Sequence, residues 1–179
     1  MRKIILVNGI PASGKSFMAK KISQFFDAPI LSIDEIKEPF MKRFRGDIDR
    51  QLNRMLGSAA YEAMFRIIAA SPEDTLFIAD AWFGFRDKKV LEEYLKMAGC
   101  QKIIEVWNKI SADTVSSRYY TRCSSRVKGH PGEEYIPELI NLSESATPMA
   151  FGPVYTIDQD DPSDDQIIMN WLSQHLNCP

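Results

Sequence analysis

Gly9-Ile10-Pro11-Ala12-Ser13-Gly14-Lys15-Ser16 fits the pattern G-x-x-x-x-G-K-[ST] at every fixed position. Before it stands Ile4-Ile5-Leu6-Val7, an apolar run that reads as a strand buried on both faces. After it, Met18, Ile22, Phe25 and Phe26 recur at helical spacing. Strand, glycine loop and helix in this order turn backbone N–H groups toward a triphosphate. Gly9 and Gly14 allow torsions and close approach that a side chain would block. Ile10, Pro11, Ala12 and Ser13 complete the cradle between them, and Ser13 to Ser16 lie at the positive end of the helix dipole. Lys15 supplies a mobile cation for the outer phosphates, and the Ser16 hydroxyl is the expected protein ligand to magnesium. The stretch predicts binding of a magnesium nucleotide, with no reaction yet specified.

Working outward, strands alternate with helices. Pro29 to Ile33 reads as a second strand ending at Asp34, followed by a helix to about Phe44. A long helix is expected from about Ile48 to Ala70, with Leu52, Leu56, Ala59, Ala60, Ala63, Met64 and Ile67 as its apolar face. Leu76 to Ala79 is a third strand, ending at Asp80. Helices follow at about Arg86–Met97, with Gly99 as cap, and at Ser111 to about Arg126. Ile103 to Trp107 and Val154 to Ile157 are further strands, and a last helix spans about Ser163 to Leu176. Repeated βα units imply an α/β fold with a parallel sheet covered on both faces. In such sheets ligands bind beyond the carboxyl ends of the strands, which is where Asp34 and Asp80 fall.

The chain of 179 residues suits one domain. Its 45% hydrophobic and 26% charged content is that of a soluble globular protein. A net charge of −2 gives no global reason to bind a nucleic acid polymer. Cys100, Cys123 and Cys178 are too scattered for a disulfide framework or a zinc site. No stretch is long enough to span a bilayer, and the chain enters its first strand without a secretory leader. A reducing cytoplasm, with ATP and magnesium, is the expected setting.

Asp80 ends an apolar strand, the position from which an acid holds magnesium directly or through water; the alternative is a helix cap. Asp34 can accept a proton from an acceptor hydroxyl during in-line attack. Lys37, one turn later, can balance charge on the acceptor or the phosphate. Arg118, Arg122 and Arg126 recur every four residues, on one helix face. Guanidiniums there can neutralise a triphosphate, or else form a solvated basic face. The turn residues from Lys128 to Glu134 suit a hinged lid, so residues 118–134 are the expected lid. Trp82 and Phe83 can line an acceptor pocket or pack in the core. His130 reads as a turn residue of the lid. A GTPase is disfavoured: Asn108-Lys109-Ile110-Ser111 lacks the aspartate of the guanine clamp, and Phe83 replaces the glycine of a switch motif.

The phosphate loop, Asp34-x-x-Lys37, the strand ending at Asp80 and the Arg118/Arg122/Arg126 lid together resemble the small P-loop kinases. The nearest groups are the gluconate kinase-like, chloramphenicol phosphotransferase-like and zeta-toxin-like enzymes, and the kinase domain of polynucleotide 5′-hydroxyl kinases. The resemblance covers nearly the whole chain and implies a three-layer α/β/α fold with sheet order 2-3-1-4-5 and a mobile lid. It implies a base at Asp34, lid arginines on the phosphates or the adenine, and a loop from Thr156 to Pro162 bordering the adenine. Lys37 departs from the arginine common at its place.

The expectation is therefore an ATP-dependent phosphotransferase acting on a small-molecule hydroxyl. Asp34, Lys15, Arg122 and Arg126 are its catalytic candidates. Asp34, Lys37, Trp82 and Phe83 are expected at the acceptor. The alternatives are a polynucleotide 5′-hydroxyl kinase, for which Lys42-Arg43-Phe44-Arg45 would meet the strand, and a nucleotide-dependent regulatory protein that transfers nothing.

Overall fold

The structure is a computed structural model that describes residues 1–161 and 164–177. Three points of the sequence reading lie outside them: the Ser163 start of the last helix, the Pro162 end of the adenine-side loop, and Cys178.

Five parallel strands form one sheet in the order β2-β3-β1-β4-β5. They are β1 (Arg2–Asn8), β2 (Ile30–Ser32), β3 (Leu76–Ala81), β4 (Cys100–Lys109) and β5 (Val154–Asp158). Strand β1 pairs with β3 on one side and β4 on the other. Central placement explains its unbroken apolar run: Ile4, Ile5, Leu6 and Val7 are all fully buried. The helices among the described residues are α1 (Lys15–Phe26), α2 (Ile33–Arg43), α3 (Arg50–Ala70), α4 (Lys88–Met97), α5 (Ala112–Cys123), α6 (Ile136–Ser145) and α7 (Asp165–Asn177). None is long and apolar enough to cross a membrane.

Alternation along the strands sorts the core into two layers. Ile4 and Leu6 pack with Tyr61, Met64, Phe65 and Ile68 of α3 and with Leu91 and Leu95 of α4. Ile5 and Val7 pack on the opposite face with Met18 and Ile22 of α1 and with Ile168 and Leu172 of α7. The fold is thus the three-layer α/β/α arrangement, in the expected strand order.

Three local expectations are corrected. The second strand stops at Ser32, so Asp34 sits on the first turn of α2 and not at a strand end. The buried stripe of α3 is Ala60, Tyr61, Met64, Phe65 and Ile68, while Ile67 is exposed. Helix α5 ends at Cys123, so Arg126 belongs to the loop beyond it and does not share a helix face with Arg118 and Arg122. The sequence reading also passed over α6. Its Ile136, Leu139 and Leu142 spacing and the Pro137 in its first turn were the available signals. Leu139 is fully buried against Ile10, Ala12, Val115 and Tyr119, so α5 and α6 back the glycine loop from outside the sheet.

Candidate active site

The loop between β1 and α1 is shaped by contacts as much as by torsion. A Cβ on Gly9 would lie 2.3 Å from Ser13 Oγ. Gly14 has φ +84°, and a Cβ there would lie 2.5 Å from Gln159 Oε1. Both positions therefore exclude a side chain. Ile10 and Ala12 are buried, so only their backbone can meet a ligand. Asp49, Asp87 and Ser111 cap α3, α4 and α5 with side-chain hydrogen bonds, whereas Gly14 gives α1 none. The first N–H groups of α1 have no carbonyl one turn back. With the helix dipole behind them, they form an anion-binding end.

Lys15 and Asp80 face each other across this loop. Burial lowers the Lys15 pKa, against the pull of Asp80 and Asp34, and Arg122 and Arg126 lower it further. Burial raises the Asp80 pKa, while Lys15 and the hydroxyls of Ser16 and Ser32 draw it back. Asp80 does not cap the following helix; Asp87 does. Its Oδ1 is buried without a hydrogen-bond partner. A buried carboxylate oxygen left unpaired is costly and suits a cation. Asp80, with the Ser16 hydroxyl beside it, is thus a donor set that fits magnesium, a hard cation taking oxygen ligands.

The second acid is held differently. The Asp34 Oδ2 accepts from Arg126 Nη2 at 3.0 Å, and Oδ1 lies 3.4 Å from the Lys37 ammonium. Burial would push the Asp34 carboxyl up, but Lys37 and Arg126 outweigh it and bring the pKa down to about 2. Lys37 is buried, and burial lowers its own pKa against the pull of Asp34. His130 Nε2 lies 3.1 Å from Glu38 Oε1. Asn53 Nδ2 bonds to the Gly129 carbonyl, and Tyr119 donates to the Pro131 carbonyl at 2.7 Å. Residues 126–131 are therefore latched onto α2 and α3. Asp34, Glu38 and His130 bring ligand-type atoms within 4.8 Å of one another. Both Asp34 oxygens face cations, however, so the group reads as part of this latch.

Burial, and then Arg126 and Lys37, bring the His130 pKa from 6.5 to about 3. The ring is neutral at pH 7. Between pH 6.5 and 3 the unfolded chain binds the proton that the folded chain refuses, so stability falls as pH falls through that window. Asp34 adds a loss of the same sign below 3.8. Urea midpoints taken from pH 7 to pH 4 are expected to fall in the wild type, and to fall less in His130→Gln.

The arginines divide. Arg122 is half-buried beside Arg126 and lines the cleft with Lys15, Asp34 and Asp80. Arg118 turns away and donates to Gln159 Oε1 at 3.2 Å and to the Gln159 carbonyl at 3.3 Å, beside Gly14. Lys37 and Trp82 also line the cleft. Phe83 does not: it is fully buried, its ring 5.9 Å from that of Tyr61, so it is a core residue and not an acceptor contact. Lys42, Arg43, Phe44 and Arg45 are exposed outside the cleft.

Sequence reasoning missed the polar frame under the loop. Asn8 is fully buried; its Oδ1 accepts from the N–H groups of Gly9 at 2.8 Å and Phe83 at 3.0 Å. Its Nδ2 donates to Glu105 Oε1 at 2.7 Å. Glu105, also fully buried, accepts in addition from the N–H groups of Met149 and Ala150. Asn108, whose neighbours fail as a guanine clamp, donates to the Asn8 carbonyl and accepts from Gln159 Nε2, both at 3.0 Å. The signal in sequence was a polar residue inside each of two apolar strands. Glu105→Ala strands two buried donors, Asn8 Nδ2 and the Met149 N–H, together with the part-buried Ala150 N–H, and is expected to cost about 3 kcal/mol, read as a fall in thermal stability.

No protein-family model matches the chain, and none of the curated proteins matches it. Solved structures do. A protein from Chloroflexus aurantiacus J-10-fl, provisionally described as a kinase, has a TM-score of 0.82 at 25% identity, covering 98% of this chain and 99% of that one. Shikimate kinase from Bacteroides thetaiotaomicron has a TM-score of 0.61 at 15% identity over 98% and 99% of the two chains. A sugar kinase from Janibacter sp. HTCC2649 has a TM-score of 0.58 at 13% identity over 99% and 95%. At these identities the last two are likenesses of fold alone.

Proposed function

We propose that the chain is a single-domain, ATP-dependent kinase that transfers the γ-phosphoryl group to a hydroxyl of a small molecule. The observation that carries this reading is one cleft shared by two kinds of acid. Asp80 is buried with an unpaired oxygen beside Lys15 and Ser16, while Asp34 is ion-paired and ionised on the opposing α2. Pinning the latch accounts for one oxygen of the second acid; its place in the same cleft as the glycine loop suits an acceptor hydroxyl as well. The kinase description given to the Chloroflexus protein supports the same reading.

In this mechanism the α1 N-terminus and Lys15 hold the triphosphate, and Ser16 and Asp80 would hold magnesium. The metal would supply charge neutralisation for the phosphate groups. Asp34 orients the acceptor hydroxyl and takes its proton. Arg122 makes no ion pair within 4 Å among the described residues, although Asp34 attracts it at longer range, and it lines the cleft where it can meet the transferring group. Arg126 serves twice, fixing Asp34 and closing residues 118–134 as a lid. Arg118, beside Gly14 and Gln159, belongs to the nucleotide side.

The test is a panel of hydroxyl metabolites with labelled ATP and magnesium. Transfer of label to a small molecule supports the reading. Tight nucleotide binding with no transfer to any acceptor would replace the kinase by the regulatory alternative.

A further inference from the structure

The cleft carries more positive charge than a magnesium nucleotide uses. Seven lysine and arginine side chains line it against two carboxylates, Asp34 and Asp80, although the whole chain has a net charge of −2. Lys15 and Arg122 face the donor site, and Lys37 and Arg126 are engaged by Asp34. Arg50 is paired with Glu138. Two cations remain, Arg54 and Arg86, with no carboxylate partner among the described residues. Arg86 is held in place: it donates to Ser58 Oγ, and its guanidinium lies 5.7 Å from the Tyr61 ring centre and 5.9 Å from that of Phe85.

Tyr61 adds an independent sign. It lines the cleft, its residue is 3% exposed, and its hydroxyl is buried with no hydrogen-bond partner. Such a donor is a standing cost unless something accepts from it. Between Arg54 and Tyr61 on the same face of α3 lies Gly57, where a Cβ would meet nothing within 4 Å. Glycine inside a helix is unfavourable, yet here it leaves the wall open. Guanidiniums, an unpaired hydroxyl and empty space at helical spacing make a receptor for an oxyanion.

We propose that the acceptor of this kinase carries an oxyanion, a carboxylate or a phosphate, bound by Arg54, Arg86 and the Tyr61 hydroxyl over Gly57. The proposal rests on the kinase reading for the identity of the anion as part of an acceptor. The binding itself does not depend on transfer, and the two can fail separately.

The test uses the full chain saturated with magnesium and β,γ-imido-ATP, so that the glycine loop is filled. Glucose, gluconate and glucose 6-phosphate are titrated in, and binding is read from thermal unfolding. Gluconate or glucose 6-phosphate is expected to stabilise the protein and glucose is not; which of the two does so separates carboxylate from phosphate. The double variant Arg54→Ala/Arg86→Ala is expected to bind the anion about 10- to 100-fold more weakly. Tyr61→Phe, which removes an atom with no partner, is expected to fold normally and weaken the anion alone. Equal binding of glucose, no binding of either anion, or anion binding unchanged in these variants would overturn the proposal. If the nucleotide analogue itself does not bind, the kinase reading falls, and the anion titration is read on Lys15→Ala instead.

Discussion

Lys15→Ala is expected to lower phosphoryl transfer by about 10³-fold or more without lowering thermal stability. The two halves of this expectation have one cause. The Lys15 ammonium is held where burial depresses its pKa, so keeping it charged costs free energy. Removing it relieves that cost; the folded chain loses the attraction to Asp80 and Asp34 and a single long contact from Nζ to the Ile10 carbonyl, at 3.4 Å. The same desolvation strengthens its attraction for phosphate oxygens, on which charge is redistributed during transfer. Asp80 would feel the change as well. Lys15 is the main influence holding its pKa down, so Lys15→Ala moves it further up. The measurements are single-turnover transfer and thermal unfolding. A variant that transfers within tenfold of wild type would remove Lys15 from the donor site. A variant that loses transfer and stability together would show a structural role instead.

The glycine loop of the candidate site was legible because it is written in consecutive residues. Gly9, Gly14, Lys15 and Ser16 owe their geometry to a loop and a helix start, both local. Sheet order was legible only through resemblance, because no residue in β1 encodes which strand lies beside it. Asp80 could be read from its apolar strand, but its unpaired oxygen could not, since that depends on what β1 and α1 leave near it. The opposite side of the cleft was legible only in part, for a physical reason. Arg126 meets Asp34 across a separation of 92 positions, by a loop whose path no periodicity records. Spacing of four suggested a shared helix face, yet α5 stops at Cys123 and Arg126 reaches its partner because it is free of that helix. Phe83 follows Trp82 directly, and composition could not say which of the two turns outward. Glu105 and Asn8 are polar residues within buried strands. Their pairing across β1 and β4 is what makes them affordable there and what fixes the loop above them.

Asp34→Asn is expected to lower transfer by about 10²- to 10⁴-fold while magnesium–ATP affinity stays near wild type. A general base at its best would have a pKa near the working pH, and Asp34 has one of about 2. It is therefore ionised throughout the physiological range, and its protonation gives no acidic limb to the rate between pH 5 and 8. Its strength as a base is low, but in a loose transition state the hydroxyl proton leaves late, and orientation matters more than basicity. Asparagine keeps the shape and can still accept a hydrogen bond, but it cannot balance the buried Lys37 or anchor Arg126 with charge. The substitution thus acts on the proton and on the latch together. Lys37→Met separates them. It leaves the Asp34–Arg126 bridge in place and removes the cation with the larger effect on the pKa, so the Asp34 pKa is expected to rise. If charge at Asp34 orients the hydroxyl, Lys37→Met keeps most of the transfer and gains an acidic limb that the wild type lacks. If Asp34 only pins the lid, Asp34→Asn raises proteolysis at residues 124–132 and weakens ATP binding in step with the rate. Full turnover by Asp34→Asn would exclude both roles.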